Sequence, residues 1–302
     1  MSFNEGSRLD PSQVEDRRGM STGAKAGIGG GVALIALVAS LFGINPNLVT
    51  DLLGPAADSS QQQQQLPQGS SGVDDCVTGA DANAELDCRI TGTANSLNAF
   101  WKDYLAQYSE QYTAPKTVLF TGQTQTACGP ASSDVGPFYC PADQKAYFDL
   151  SFFDELTNRF GAANGPLAQE YVVAHEFGHH IQNSLGYLGY AQQDPRGADS
   201  GAVRTELQAD CYAGLWARYA SEDTGNGQPF LKQLTQQDIN DALSAASAVG
   251  DDRIQQQSMG GVNSESWTHG SSAQRQKWFA QGYQTGDINK CNTFDAPDLD
   301  NP

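Results

Sequence analysis

The chain has 302 residues, of which 35 are acidic and 17 basic, and its formal net charge is −18. That excess argues against a nucleic-acid partner, because phosphate binding needs a surface rich in Lys and Arg. It also argues against electrostatic binding of a polybasic segment to anionic lipids. Hydrophobic residues make up 39% of the chain while the mean hydropathy is −0.47, so we expect a folded core beside long polar stretches.

An apolar run follows a polar N-terminal segment. Residues 1–25 contain four basic residues, Arg8, Arg17, Arg18 and Lys25. From residue 26 to residue 44 there is no charge, and at about 1.5 Å per residue this length almost spans a hydrocarbon core of about 30 Å. The run therefore predicts one transmembrane helix at residues 26–45. The basic residues before it place the N-terminus in the cytoplasm and the rest of the chain outside the cytoplasmic membrane.

Two other interpretations of the apolar run remain open. It resembles a cleaved signal peptide with small residues nearby at 55–57, although the polar region before it is long for one. A buried core helix is less consistent with its glycine-rich start. Glycines at four-residue spacing either let two membrane helices approach, which would give a homo-oligomer, or are simply tolerated: Gly23, Gly27 and Gly31.

Composition divides the rest of the chain. Residues 46–72 include a run of five glutamines flanked by Ser, Pro and Gly, which predicts a flexible linker. We expect the folded domain at residues 73–295 and a short acidic tail at 296–302. All six cysteines lie in that domain, and an even count outside the cytoplasm indicates disulfides. Six cysteines allow 15 pairings. Short loops favour two pairs and leave a third: Cys76–Cys88, Cys128–Cys140 and Cys211–Cys291.

Periodicity predicts the main elements. An amphipathic helix is expected at 92–110 and strands at 116–120 and 146–153. Four helices follow, at about 166–185, at about 203–220, from Thr235 to Gly250, and from Ser271 or Ser272 onward.

The first of these four helices contains a metal-binding motif. His175 and His179 are four residues apart in His-Glu-Phe-Gly-His, so both imidazoles lie on one helix face, where they can bind a single Zn²⁺. Glu176 lies beside that face and can act as the general base on water. A chance match on a helix is the alternative.

A catalytic zinc needs a third protein ligand. The extended pattern with a further Gly and His fails here, because Gln182 and Leu185 occupy those positions. The next helix offers Glu206 as the ligand and Asp210, on the same face, as the acceptor of a free ring N–H from a ligand histidine. The alternative is that both are solvated carboxylates.

Other polar residues are weaker candidates. His180 points about 100° away from His179 around the helix, so we expect a structural role for it. His269 precedes a helix N-terminus and is either a catalytic donor to a developing oxyanion or structural. Asp149, Asp251 and Asp252 are most simply solvated or capping carboxylates.

Several stretches together resemble the neutral zinc metallopeptidase family of bacteria. They are residues 14–19, 140–153, 175–182, 206–213, 268–279 and 291–294. The resemblance implies a short cytoplasmic start, one membrane segment and an outer domain with a zincin-like fold. The pattern Glu-x-x-Ala-Asp at 206–210 resembles the third-ligand helix of the wider gluzincin group.

We therefore expect an α+β, zincin-like metallopeptidase domain after one transmembrane helix. In this hypothesis Zn²⁺ is held by His175, His179 and Glu206, and the substrate is a peptide or protein. The alternative hypotheses are a non-catalytic zinc-binding module for assembly in the cell envelope, and a disulfide-linked structural protein that binds no zinc.

Overall fold

The computed structural model describes residues 2–19, 72–223 and 228–302. The predicted transmembrane helix at 26–45 lies outside these residues, as does nearly all of the linker at 46–72. No helix within the described residues is long and apolar enough to cross a membrane. The described part is an α+β structure, as expected, with a small sheet packed against helices.

Nine α-helices are present in the described residues. They are α1 (Gly79–Ala84), α2 (Leu86–Ala106), α3 (Ser151–Asn158), α4 (Pro166–Leu185), α5 (Gly189–Gln193), α6 (Gly201–Tyr219), α7 (Gln236–Ala248), α8 (Asp251–Met259) and α9 (Ser272–Thr285). The strands are β1 (Val14–Asp16), β2 (Lys116–Phe120), β3 (Gln123–Thr126), β4 (Gly129–Ser132), β5 (Phe138–Cys140) and β6 (Lys145–Asp149).

The main sheet has the strand order β1-β2-β6-β5. Strand β2 is parallel to both β1 and β6, whereas β5 at the far edge is antiparallel to β6. Strands β3 and β4 form a separate antiparallel hairpin. Because β5 also contacts α4, the edge of the sheet lies beside the helix that carries the two motif histidines.

Helices α4, α6 and α9 pack closely together. At Gly178 of α4, an added Cβ would lie 3.0 Å from the backbone of Ala209 on α6, so the absent side chain allows this approach. Large buried side chains fill the space around the helices, including Trp101, Trp216 and Trp278. Side chains on facing helices can therefore reach one another, as a shared site requires.

The predicted boundaries are confirmed best at the motif helix. Helix α4 begins at Pro166 and ends at Leu185, where Gly186 adopts the left-handed conformation (φ 83°) that glycine tolerates. Thr235 caps α7 and Ser271 caps α9, each through a capping box with the residue three positions later. The strand predicted at 116–120 is β2.

Two predicted elements need correction. The strand predicted at 146–153 ends at Asp149, because the Asp149 carboxylate accepts hydrogen bonds from the Ser151 backbone N–H and hydroxyl, and α3 begins there. The helix predicted at 92–110 corresponds to α2, which starts earlier, at Leu86, and also ends earlier, at Ala106. Its first turns lack the strong apolar pattern on which the prediction depended.

The predicted domain boundaries also need correction. The sequence predicts a separate N-terminal segment at residues 1–25, yet its described residues 2–19 pack on the domain, with Phe3 fully buried and β1 in the main sheet. The tail at 296–302 is also partly in the fold, since Leu299 is buried and its carbonyl accepts the Trp278 indole N–H at 3.0 Å. The predicted disulfides are all formed: Cys76–Cys88, Cys128–Cys140 and Cys211–Cys291.

Candidate metal centre

The site is built on two adjacent helices. His175, Glu176 and His179 lie in the middle of α4, and Glu206 lies in α6. All four side chains are buried, with 4–8% of each residue exposed. The two helices can bring polar groups together here because Gly178 and Ala209 leave space between them.

The ligand atoms converge on one point. His175 Nε2 lies 3.1 Å from Glu206 Oε2, and His179 Nε2 lies 3.5 Å from Glu206 Oε1. One ligand atom from each of the three residues lies within 4.8 Å of the other two. Ligand atoms at about 2.0–2.2 Å from a tetrahedral Zn²⁺ are separated from one another by about 3.3–3.6 Å. The two histidines and Glu206 therefore fit a zinc site in donor type and in spacing.

Each histidine is also held through its second ring nitrogen. His175 Nδ1 lies 2.9 Å from Asp210 Oδ1, and His179 Nδ1 lies 2.8 Å from Gln182 Oε1. With the proton on Nδ1 donated to these oxygens, both Nε2 lone pairs face Glu206. The structure thus brings Asp210 to the position predicted from the sequence. Gln182 supports His179 in the same manner, which sequence reasoning missed.

Buried charge shapes the ionisation of this cluster. Burial alone would raise the pKa of Glu206, but the neighbouring His179 and His175 lower it well below its ordinary value. Burial lowers the pKa of His179 to about 4. For His175, burial is outweighed by the charge and hydrogen bond of Asp210, and its pKa rises to about 9. Glu206 is thus kept in the anionic form that binds a metal ion.

Arg275, like Gln182, is a residue of the site that sequence reasoning missed. It extends from α9, is buried, and donates from Nε to Asp210 Oδ2 at 2.8 Å. The hydroxyl of Tyr171 also donates to Asp210. Although burial raises the pKa of Asp210, the Arg275 and His175 charges lower it below its ordinary value. Nothing in the local sequence signals this contact, because 65 residues separate Arg275 from Asp210.

Glu176 differs from the ligands in its environment. Burial raises its pKa to about 7, partly offset by His175. The backbone N–H of Tyr139, in the edge strand β5, also interacts with this carboxylate. A carboxylate with a pKa near neutrality can both accept and return a proton, which suits a general base.

His269 lines the same cavity as the motif residues. Its Nδ1 lies 3.2 Å from Asp251 Oδ1, and Asp251 Oδ2 also accepts the backbone N–H of His269 at 2.6 Å. Asp251 is therefore buried and paired, so of the two predicted environments, solvated or capping, the solvated one is wrong for this residue. Asp149 is buried as well, where it accepts hydrogen bonds from Gly122 and Ser151.

His180 has a structural environment, as predicted. Its Nδ1 lies 3.0 Å from the Tyr139 hydroxyl and its Nε2 lies 2.7 Å from the Thr113 carbonyl. Both ring nitrogens are thereby used away from the metal cluster.

A cavity of about 320 Å³ opens onto the cluster. Its walls away from the metal ligands are mainly apolar, with side chains from Val135, Phe138, Phe152, Phe160, Val172, Val249 and Ile254. The site therefore combines a few charged groups with an apolar chamber, which is typical of binding sites for organic molecules.

A second cluster in the described residues has metal-ligand types, namely Cys76, Asp87 and Cys88. Both of its sulfurs are in a disulfide, so they offer no thiolate to a metal ion. Of these two clusters in the described residues, the one formed by His175, His179 and Glu206 is suited to Zn²⁺.

Comparison with known proteins also points to zinc. The family model described as "Putative neutral zinc metallopeptidase" matches residues 3–294. The chain belongs to this family. The uncharacterized protein Rv2575 of Mycobacterium tuberculosis (strain ATCC 25618 / H37Rv) is 61% identical over 226 residues, 74% of this chain and 76% of that protein. The uncharacterized protein YpfJ of Escherichia coli (strain K12) is 38% identical over 302 residues, 95% of this chain and 97% of that protein. No solved structure gives a significant match to this chain.

Proposed function

We propose that this protein is a zinc-dependent peptidase of the cell envelope. The observation that carries the proposal is the convergence of His175 Nε2, His179 Nε2 and the Glu206 carboxylate, with Glu176 beside them at the wall of an apolar cavity. In the proposal the first three residues hold Zn²⁺ and leave one position open to the cavity. The family description supports the same chemistry, and the ligand helix with Glu206 and Asp210 is of the gluzincin type in this hypothesis.

Bound zinc would supply Lewis acidity, which polarises a peptide carbonyl and makes a water molecule more acidic. Glu176 takes the proton from that water and delivers it to the leaving amine. His269, oriented by Asp251, donates a hydrogen bond to the oxygen that becomes negative at the carbonyl. Asp210 and Gln182 keep the two histidines in the tautomer that presents Nε2.

The edge strand β5 gives a place for the substrate backbone in this proposal. It forms one wall of the cavity through Phe138 and Tyr139, and in the described residues no strand pairs with its outer edge. An extended peptide can add to such an edge through main-chain hydrogen bonds. The peptide bond beside Glu176 would then be held next to the metal.

We also propose that the domain acts outside the cytoplasm and is held at the membrane through the apolar run at 26–45. Support for the compartment comes from the six cysteines, which are all paired in disulfides, since such bonds persist in oxidising environments. Support for membrane attachment comes from the uncharged sequence of the run.

The test compares the full chain with its Glu176→Gln variant, both loaded with zinc, on an unfolded protein substrate. We expect cleavage by the parent chain and at least a hundredfold loss in the variant, with the same bound zinc per chain in both. An exposed residue gives the matched control, and Glu222→Gln should cleave like the parent. Zinc bound equally by parent and variant but without cleavage by either would reject the peptidase and support the non-catalytic module.

A further inference from the structure

The first residues of the chain are an integral part of the domain. We call residues 2–19 the N-terminal arm. Phe3 is fully buried and packs against Gly92 of α2, where an added Cβ would lie 2.7 Å from its ring. The hydroxyl of Ser2 donates to Glu170, a fully buried carboxylate in the motif helix α4. The arm therefore reaches the same helix that carries the metal ligands.

The arm also completes the main sheet. Strand β1 pairs in parallel with β2 in a three-residue register, from Val14 opposite Thr117 to Asp16 opposite Leu119. Strand β2 is otherwise buried, with four of its five residues in the core. Without the arm, this inner strand would present an unpaired hydrogen-bonding edge.

Basic residues of the arm are paired within the domain. Arg18 Nη1 lies 2.9 Å from Asp87 Oδ2, and Arg17 Nη1 donates to the Gln125 carbonyl at 2.9 Å. Asp87 itself is buried in α2, so it depends on this cation for charge compensation. Two of the four basic residues that predicted a cytoplasmic N-terminus are thus accounted for by contacts in the fold.

The chain leaves the fold and returns to it at the same place. The Asp16 carboxylate interacts with the backbone N–H of Val73, the first turn after the undescribed residues 20–71. Arg18 lies two residues before that stretch. It pairs with Asp87, which follows Val73 by 14 residues along the chain. The two ends of residues 20–71 consequently lie side by side on one face of the domain.

We infer that the N-terminal arm and residues 72–302 occupy the same compartment and fold as one unit. A single membrane crossing within residues 20–71 would place β1 and β2 on opposite sides of the bilayer, which is incompatible with their pairing. This inference replaces the orientation expected from the basic residues, with the N-terminus in the cytoplasm and the domain outside. The membrane attachment through residues 26–45 proposed above then requires that the chain before the run and the chain after it lie on the same side of the membrane. This inference does not depend on peptidase activity, because it rests only on the contacts of the arm.

Cysteine labelling tests the compartment directly. Since the six native cysteines are paired, a new cysteine is the sole free thiol in each variant. Glu5→Cys reports on the arm and Asp300→Cys on the domain, and both positions are exposed. Right-side-out spheroplasts that express the full chain are treated with a membrane-impermeant maleimide, before and after permeabilisation.

We expect the labelled fraction of full-length chain to be the same for the two variants within about twofold, before and after permeabilisation. Labelling of Asp300→Cys in intact spheroplasts with at least tenfold less labelling of Glu5→Cys would overturn the inference. So would the reverse difference, or recovery of the domain only as a chain that lacks residues 2–19.

A charge exchange tests the contact itself in the same cells. Arg18→Glu and Asp87→Lys should each shorten the survival of the full chain against added protease in permeabilised spheroplasts, about tenfold or more. The double variant restores the opposite-charge pair between positions 18 and 87 but not the pair of Arg18 with Asp16 at 2.7 Å, so it should survive at least about threefold longer than Arg18→Glu without reaching the parent. Equal survival of the parent, both single variants and the double variant would contradict the inference, because arm and domain would then not touch in the cell.

Discussion

Arg275 and Asp210 form a fully buried ion pair, with Nε and Oδ2 separated by 2.8 Å, directly behind the proposed metal ligand His175. Asp210 uses its other oxygen to hold His175 Nδ1 at 2.9 Å. One carboxylate therefore links α9 to the orientation of a ligand on α4. This arrangement lets the packing of the last helix determine the geometry of the metal site.

Asp210→Asn tests that link. The amide keeps the shape of the side chain. It loses the negative charge of the carboxylate that pairs with Arg275 and accepts the His175 Nδ1–H. We expect zinc affinity to fall about 10–100-fold. We expect the free energy of unfolding to fall by up to about 3–5 kcal/mol, because buried Arg275 loses its 2.8 Å ion pair and keeps the more distant Glu206 carboxylate, 4.0 Å away. Competition with a chromophoric chelator and urea denaturation measure the two effects. Zinc affinity equal to that of the parent would contradict the role of Asp210.

Glu206→Ala tests the proposed ligand that α6 supplies. Within the described residues, the Glu206 carboxylate lies within 3.5 Å of both Nε2 atoms. Its removal leaves two ligands, so we expect zinc affinity to fall by more than a hundredfold while the chain stays folded. Isothermal calorimetry and far-UV circular dichroism measure affinity and fold. The exposed Glu222→Gln should leave affinity unchanged. A folded Glu206→Ala protein with undiminished zinc affinity would remove Glu206 from the ligand set.

Glu170 should make the stability of the domain depend on pH. Burial raises its pKa from 4.5 to about 7 in the fold, so the folded protein favours the protonated carboxyl. Between about pH 4.5 and 7 the folded state then binds more protons than the unfolded state, and the stabilisation present at low pH is lost as pH rises. The shift corresponds to about 3 kcal/mol. Glu170→Gln should remove this pH-dependent loss. The measurement is the unfolding free energy of the variant minus that of the parent, determined once at pH 5 and once at pH 8. A difference that does not change with pH would contradict the prediction.

Close packing of α6 and α9 predicts a sensitive glycine. A Cβ at Gly282 would lie 1.9 Å from the carbonyl oxygen of Cys211, so Gly282→Ala forces the two helices apart. We expect a loss of about 1–3 kcal/mol in unfolding free energy and weaker zinc binding, because α9 carries Arg275. Gly261→Ala is the matched control, since nothing lies within 4 Å of its added Cβ. Equal melting temperatures of the two variants would show that the helices adapt.

The apolar cavity predicts the preference of the proposed peptidase. A large apolar side chain next to the cleaved bond should fill it, whereas an acidic one would be buried among apolar walls without a partner. We expect kcat/KM to be about 10–200-fold higher for a quenched peptide with Phe than for one with Asp beside the cleaved bond. Phe152→Ala, in the cavity wall, should reduce this ratio, and Val77→Ala, which is exposed elsewhere, should not. Equal rates for the two peptides would exclude the cavity as a binding site for the side chain.

Local patterns predicted much of the helical framework. The residues that begin, cap or end a helix act within one turn of their own position, so the sequence alone predicts these helix ends. They are Pro166, Gly186, Thr235 and Ser271. The strand at 146–153 was predicted too long because an apolar run does not reveal that the Asp149 side chain starts a helix at Ser151. Short strands such as β1 and β5 have three residues each, too few to show a period.

For the proposed metal site, spacing within a single helix predicted His175, Glu176 and His179, and it likewise predicted Glu206 and Asp210, which lie one turn apart on another helix. Three other contacts appear only in the packed fold: Arg275 meets Asp210, Asp251 binds His269, and β1 pairs with β2. The reason is physical. A helix fixes the relative positions of side chains three or four residues apart, whereas contacts between distant segments depend on how helices and strands pack.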